Sequence, residues 1–575
     1  MNRRLPATAR LYTFLGDRAR TIGTVARLST RPGPAPTTRE KRLTLIACIA
    51  GSAIVFIDGT VVNVALPAIR ADLDVGLASQ QWVVEAYLLT LSSLLLIGGS
   101  LSDLFGRRRV FALGTALFGV TSVMCAAAPS AETLIAARAL QGLAGALLVP
   151  STLATIMAVF PEEERGRAIG SWTAWSGVST VIGPLAGGAL VDAASWRWIF
   201  ALNIIPVAVT LYLVIRALPA QADVRLPHKH VDWQGAVLAG LGLAGPVFAL
   251  IEQPNRGWGD PLVYVPLVGG LVLLGLFILQ ERRSPEPMMP LDLFRRRNFA
   301  AGNLATLAIY AGLGSGLFFV VLFLQETAGY DALEAGLALM PITILMFFLS
   351  SRFGALADRL GPRLFMGGGP ILGGAGLLML IGLGSDPDYL TDVLPAMALF
   401  GLGLALTVAP LTATVLSDAD QNHSGVASGV NNAVARVAGL LAIAAVGALV
   451  SAQFISTVDE RIAGRPLDPR SRQAVEDAKD RPLTTSSADD AAPEERPFLR
   501  GVFEDASVDA FQVAIGVSGA LVVAGGLISL VGIRNPRRKV AASECPGGAI
   551  CGASEDLARD EPVRLPAREP EPAQA

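Results

Sequence analysis

Along the chain, apolar runs about 20 residues long alternate with short polar groups from residue 43 to residue 533. A run of that length crosses a bilayer core as one helix, because a helix satisfies its own backbone hydrogen bonds where no water is present. The pattern predicts spans at 43–65, 82–101, 110–128, 133–155, 167–190, 197–216, 233–251, 262–280, 299–324, 333–357, 364–383, 392–414, 425–450 and 511–533. The first run is too long for the apolar core of a secretory leader, and many spans follow it. The expected fold class is an all-α polytopic membrane protein of about fourteen transmembrane helices.

Composition agrees. Of 575 residues, 16% are charged and 52% are hydrophobic, against about 25% charged in soluble domains. A soluble enzyme, a disordered chain and a nucleic-acid binder are poor readings of such a sequence. The net charge of −2 implies no polyanionic partner, and 60 glycines suit close helix approach in lipid. Cys48, Cys125, Cys545 and Cys551 form no metal-like cluster with His or Asp, so no metal is expected. His228 and His230 flank Lys229 in a polar loop and read as solvated. No phosphate-binding GxxxxGK[ST], HExxH or nucleophile elbow occurs, so neither ATP-driven pumping nor enzyme chemistry is expected.

Basic residues fix the orientation. They crowd the N-terminal segment and alternate short loops, including Arg107–Arg109, Arg165, Arg167, Arg282, Arg283 and Arg295–Arg297. The opposite short loops carry only Arg70, Arg197 and Arg256. Lys and Arg mark the cytoplasmic face, so both termini are expected in the cytoplasm of a multi-pass protein of the plasma (inner) membrane. Residues 1–42 are a basic cytoplasmic segment with apolar positions at near-helical spacing, compatible with a partly disordered basic tail, with a surface helix on anionic lipid or, less well, with an organelle transit peptide. Residues 534–575 read as a disordered cytoplasmic tail. Residues 451–510 form a long outer loop of mixed charge, compatible with a partly folded hairpin or cap.

The chain also repeats itself. Gly99–Arg109 reads GSLSDLFGRRR and Gly354–Arg363 reads GALADRLGPR, sharing G-x-L-x-D-x-x-G after an even-numbered span. Two copies at matching places imply two homologous bundles of six helices, at 43–216 and 299–533, with an inserted pair and its linkers at 217–298.

These motifs resemble the major facilitator superfamily, and its fourteen-span drug:proton antiporter branch (EmrB/QacA type) most of all. Phe56–Ile69 (FIDGTVVNVALPAI) is similar to that branch's first-helix signature, and Gly99–Arg109 to the superfamily's loop motif. Arg138–Pro150 resembles its Arg-x-x-Gln-Gly helix. Ser179, Gly183, Pro184, Gly187 and Gly188 resemble its antiporter motif, with Ser179 in place of the usual first glycine. Ser195–Pro206 and Gly425–Gly439 (GVASGVNNAVARVAG) are similar to two further signatures. The resemblance implies the major facilitator fold, alternating access, and a proton-coupled antiporter exporting hydrophobic or amphiphilic small molecules, with multidrug efflux as its activity. It implies no cofactor beyond the proton gradient, and a monomer whose partners are the small-molecule substrate, protons and lipid.

Charge inside a span costs about 2.5–3.5 kcal/mol at the helix centre and therefore marks function. Asp58, Glu85, Arg138 and Arg436 are the intramembrane charges expected to carry proton coupling or substrate contact, with Asn431 and Asn432 one turn before Arg436. Asp58 is the first choice for the coupled acid, with Arg138 tuning it. Gly99, Asp103, Gly106, Arg107 and Arg108, with Asp358 and Arg359 in the second copy, are expected to form a cytoplasmic gate latch. Gly183, Pro184, Gly187 and Gly188 are expected to bend and pack the fifth span. Trp82, Tyr87, Gln141 and Trp175 are placed on an apolar cavity by span position. Two other readings stand beside multidrug efflux: a dedicated exporter of one endogenous metabolite, lipid or self-made antibiotic, and a non-transporting sensor or scaffold.

Overall fold

The structure, a computed structural model, describes residues 37–218, 232–284, 287–417 and 424–535. The basic segment up to residue 36, the His228–His230 loop and the tail from residue 536 lie outside the described residues, as do the side chains of Asp103 and Asp358. The chain is built from α1 (Thr38–Leu73), α2 (Leu77–Phe105), α3 (Arg107–Ala126), α4 (Ala131–Val159), α5 (Glu162–Ala193) and α6 (Arg197–Arg216). Then come α7 (Trp233–Arg256), α8 (Pro261–Arg283), α9 (Arg297–Glu326), α10 (Ala332–Ala357), α11 (Pro362–Gly382), α12 (Tyr389–Val415) and α13 (Ser424–Ile462). A short α14 (Pro469–Lys479) precedes α15 (Arg496–Gly532). Among the described residues, twelve helices are long and apolar enough to cross a membrane. The helices α2 and α5, of 29 and 32 residues, occupy the places expected for the second and fifth spans.

The repeat inferred from the loop motifs is a repeat of packing. In the first half α1 packs on α5 and α6, α2 on α4, and α3 on α4 and α6. In the second half α9 packs on α13 and α15, α10 on α12, and α11 on α12 and α15. The pair α7–α8 forms its own hairpin, and α7 rests on both α2 and α13. Glycine permits the closest approaches. A methyl group at Gly142 of α4 would collide with the Tyr87 carbonyl and the Thr90 hydroxyl of α2.

The two loop motifs share a backbone conformation. Gly106 and Gly361 have φ 97° and 95°, with ψ 129° and 143°. Side chains rarely tolerate that region, so glycine allows the chain to reverse from one span into the next. Both motifs then place an arginine on the last carbonyls of the sixth helix of their half. Arg108 donates to the carbonyls of Val214 and Ile215, and Arg363 to that of Leu530. A guanidinium there satisfies carbonyls that the helix leaves free. Arg107 also donates to Ala154 O at 2.9 Å; Pro362 occupies the matching position in the second copy.

Residues 451–510 are not an open loop. The helix α13 continues to Ile462 and α15 begins at Arg496, both beyond the expected ends of their spans. Between them α14 and a 3₁₀ turn fold over a small core of Leu467, Val475, Ala478, Leu483 and Ala488, packed with Phe454 and Phe503. The resulting cap ties the two halves. Leu77 N–H donates to Asp480 O at 3.4 Å, and Arg481 pairs with Asp74 at 2.6 Å on the first half. On the second half Thr327 Oγ1 donates to Leu483 O at 3.0 Å, and Thr484 Oγ1 to Glu326 at 2.8 Å. Beneath the cap, Arg70 of α1 grips Glu326 of α9 through two hydrogen bonds of 2.8 and 2.6 Å. Asp192 of α5 accepts the Ala332 and Leu333 N–H groups that open α10, at 3.3 and 2.8 Å. The cap end of the molecule is closed.

Two predictions follow from this packing. Gly106→Ala and Gly361→Ala each cost about 1–3 kcal/mol, because a Cβ is forced into glycine-only backbone. Thermal unfolding in detergent should show the loss, while Gly275→Ala, where a methyl group meets nothing within 4 Å, should leave the midpoint unchanged or raise it. Glu326→Ala strands the half-buried Arg70 guanidinium. Amide exchange over 324–334 and 477–485 should then quicken at least tenfold, roughly a 1.4 kcal/mol loosening; unchanged exchange would remove the ion pair as the clasp.

Candidate functional site

A buried polar network lies inside the first half. Asp58 sits on α1 with none of its surface exposed, and Arg138 on α4 with 1%. Leaving either charge alone in this interior would cost several kcal/mol, so they pair. Arg138 Nη1 donates to Asp58 Oδ2 at 2.5 Å and to Gln141 Oε1 at 2.8 Å. Its Nε donates to Val83 O of α2 at 3.0 Å. The other carboxylate oxygen, Asp58 Oδ1, accepts from Gln141 Nε2 and from Asn203 Nδ2, each at 2.9 Å. Gln141 also donates to Ser122 Oγ of α3 at 3.0 Å. The guanidinium stacks 4.2 Å from the Tyr87 ring centroid, a cation–π contact away from water. Tyr87 OH donates to Val55 O at 3.3 Å.

The structure thus joins Asp58, Arg138, Gln141 and Tyr87 in one cluster that touches α1, α2, α3, α4 and α6. Gln141 and Tyr87 are buried in it, with 0% and 1% of their surface exposed. Asn203 and Ser122 belong to it but were not singled out from the sequence. Asn203 had a visible signal, as an amide within the Ser195–Pro206 signature on an otherwise apolar helix. Ser122 had none, since serine is common in apolar helices.

The other expected residues fall elsewhere. Glu85 is fully buried on the opposite face of α2, and neither carboxyl oxygen has a partner among the described residues. Trp82 is close by, packed on Phe248 of α7 at 5.9 Å and donating to Glu252 at 3.2 Å. Arg436 of α13 is partly buried and makes no hydrogen bond or ion pair among the described residues. Asn431 donates to Asn303 and Thr306 of α9 at 3.2 and 2.9 Å, whereas Asn432 is exposed. Trp175 is 55% exposed on α5. Gly99 lies on α2 against Pro150 of α4, and Arg359 is exposed beside the second loop motif.

The antiporter-like glycines form a seam. A methyl group at Gly183 or Gly187 would collide with Thr60 or Val61 of α1. One at Gly188 would fall 2.5 Å from Ala332 O of the other half. Gly336 of α10 returns the contact, its Cβ position lying 2.8 Å from Pro184 O. Small residues here let α5 press on both α1 and α10 at the closed end.

Comparison with known proteins fits this architecture. The model of the Major Facilitator Superfamily matches residues 48–443. The puromycin resistance protein pur8 of Streptomyces alboniger is 38% identical over 70% of this chain and 80% of its own length. The multidrug resistance protein Stp of Mycobacterium tuberculosis is 34% identical over 76% of this chain and 81% of its own. The tetracenomycin C resistance and export protein of Streptomyces glaucescens is 34% identical over 76% of this chain and 81% of its own. Among solved structures, a bacterial homolog of the human lysosomal transporter Spinster, in an inward-facing, unoccupied conformation, superposes with a TM-score of 0.58 at 16% identity. That superposition covers 87% of this chain and 100% of that one. By its family match and its internally repeated helical architecture, this chain belongs to the Major Facilitator Superfamily of membrane transporters.

Proposed function

We propose that this transporter is a proton-coupled antiporter of the fourteen-span drug:proton branch, exporting hydrophobic or amphiphilic small molecules from the cytoplasm by alternating access. The observation that carries the reading is the Asp58–Arg138 pair, an acid and a base sealed in the first bundle and held by amide donors. A carboxylate held by a guanidinium and two amides is linked to whatever else competes for those donors. Protonation would neutralise Asp58 and free the Arg138, Gln141 and Asn203 donors for other acceptors, which links proton uptake to a rearrangement of five helices. Relatives named for multidrug resistance and antibiotic export support the cargo class.

Orientation follows from charge. The Arg107–Arg109 and Arg363 loops face the cytoplasm, which sets both termini there and the cap outside the plasma membrane. The proton gradient then points inward and drives export, with no cofactor required. The gate-latch role of Gly99, Asp103, Gly106, Arg107, Arg108, Asp358 and Arg359 rests on the same orientation, and the cap-end seam at Gly183, Pro184, Gly187 and Gly188 supplies the opposite seal.

A second reading, a dedicated exporter of one compound, is favoured by relatives named for single antibiotics, such as the cephamycin export protein CmcT of Amycolatopsis lactamdurans. Proteoliposomes with an imposed pH gradient separate the two. Several unrelated lipophilic cations should each evoke proton flux if the protein is a multidrug exporter, and a single compound class if it is dedicated. In both cases Asp58→Asn should reduce substrate-dependent proton flux at least 100-fold, and Asp58→Asn with Arg138→Gln should recover thermal stability but not flux. Tightly coupled flux in Asp58→Asn would remove Asp58 as the coupled acid, and absence of flux with every compound would favour a sensor or scaffold.

A further inference from the structure

The face that α2 turns away from Asp58 carries its own polar residues. Gln81 and Glu85 stand one turn apart on it, flanked by Ala78, Trp82, Leu88 and Leu89. Val247 and Ile251 of α7 and Leu440 and Ala444 of α13 close over this face as an apolar cluster. Gln81 Nε2 crosses to Ile443 O of α13 at 2.8 Å. Helical register puts Glu85 in the middle of the same contact, one turn from Gln81 and facing the level of Leu440.

The two buried acids have opposite surroundings. Asp58 meets a guanidinium and two amides. Glu85 meets none among the described residues: it is 0% exposed and both oxygens lack a partner there. The charged groups on the facing elements do not answer it. On α2, no other ionisable side chain but Tyr87, on the opposite face, lies between Leu77 and Ser102. On α7, Glu252 is bound to Trp82 and Arg256 at the cap end. On α13, Arg436 lies one turn beyond Leu440, further from the cap, while Asp459 and Arg461 are bound near the cap to Lys479 and Asp505. A bare carboxylate in this contact would be a buried, uncompensated charge, which costs several kcal/mol.

The position matters because α2 belongs to the first half and α13 to the second. Parting the halves at the cap end uncovers Glu85 to outside water; closing them buries it. We propose that Glu85 is a second proton-binding site, distinct from Asp58, and that the outer gate closes only when its carboxyl holds a proton taken from the outside. The step transfers one proton from external water to a Glu85 oxygen and breaks no other bond. It rests on the alternating-access reading above and adds the point at which the external proton acts: it returns the emptied transporter to its inward-open form.

The test needs no substrate. In full-length protein in lipid nanodiscs, with Cys545 and Cys551 changed to Ser, spin labels at Glu132→Cys and Asp386→Cys report the separation of the halves at the cap end, both positions being exposed. Between pH 5 and pH 9 the open-to-closed ratio should rise about tenfold per pH unit above its midpoint, as for release of one proton. Glu85→Gln should stay closed throughout, and Glu85→Asp should keep the response with a moved midpoint, which also guards against a misfolded Gln variant. A native protein without pH-dependent opening, or a Glu85→Gln protein that opens with pH as the native one does, would overturn the proposal. Failure of the export reading shows instead as missing substrate-evoked proton flux, with this distance response intact.

Discussion

The first half is organised by the need to keep one buried acid and one buried base together. Breaking such a pair by deleting one partner typically costs about 3–5 kcal/mol, because the survivor is left charged in a dry interior. Asp58 and Arg138 avoid that cost only if five helices approach within reach of two short amide side chains. Gly142 and Gly145 on α4 supply the approach against α2, and Ser122 and Asn203 bring in α3 and α6. Packing and electrostatics are one requirement here: a larger residue at Gly142 would push α4 outward and lengthen the hydrogen bonds around Asp58.

The second half repeats the packing but not the chemistry. Its helices pair in the same order, and its loop glycine and arginine repeat those of the first. In place of a charged network, α9 and α13 meet through the neutral set Asn303, Thr306 and Asn431. Neutral amides satisfy one another without the desolvation penalty of ions, so this half does not depend on a fixed counter-charge. Arg436 of α13, in the same contact region, stands without an ion-pair partner among the described residues.

Hydropathy made the spans and the intramembrane charges legible, because bilayer thickness and the cost of buried charge act on each segment by itself, and the repeated loop motif at Gly99–Arg109 and Gly354–Arg363 made the two-half organisation legible. What stayed hidden depends on partners from distant segments. Asp58 and Arg138 could be paired from the sequence, but Asn203 could not be attached to them, 145 residues from Asp58 in the chain. The cap was legible only as one of two readings. Residues 451–510 mix charges with small apolar residues, and that composition suits a solvated loop as well as a folded lid; only the burial of Leu467, Leu483 and Phe503 separates the two. Leu483 even takes φ 69°, a conformation no local preference would suggest, while its side chain is buried and its carbonyl is held by Thr327.

Coupling imposes one further condition, and it divides the work between the acids. A proton shifts a conformational equilibrium only through a difference in its affinity for the two conformations. Among the described residues every donor to Asp58 comes from the first half, so a rigid rocking of the halves leaves those donors in place. Proton binding at Asp58 therefore answers to what competes for Arg138, which is the job of an exchange site for cargo. Glu85 is enclosed by both halves and by α7, so the same rocking changes its surroundings from dry to wet. An antiporter needs both kinds of linkage, proton against cargo and proton against gate, and two acids on opposite faces of neighbouring helices can supply them without either compromising the other.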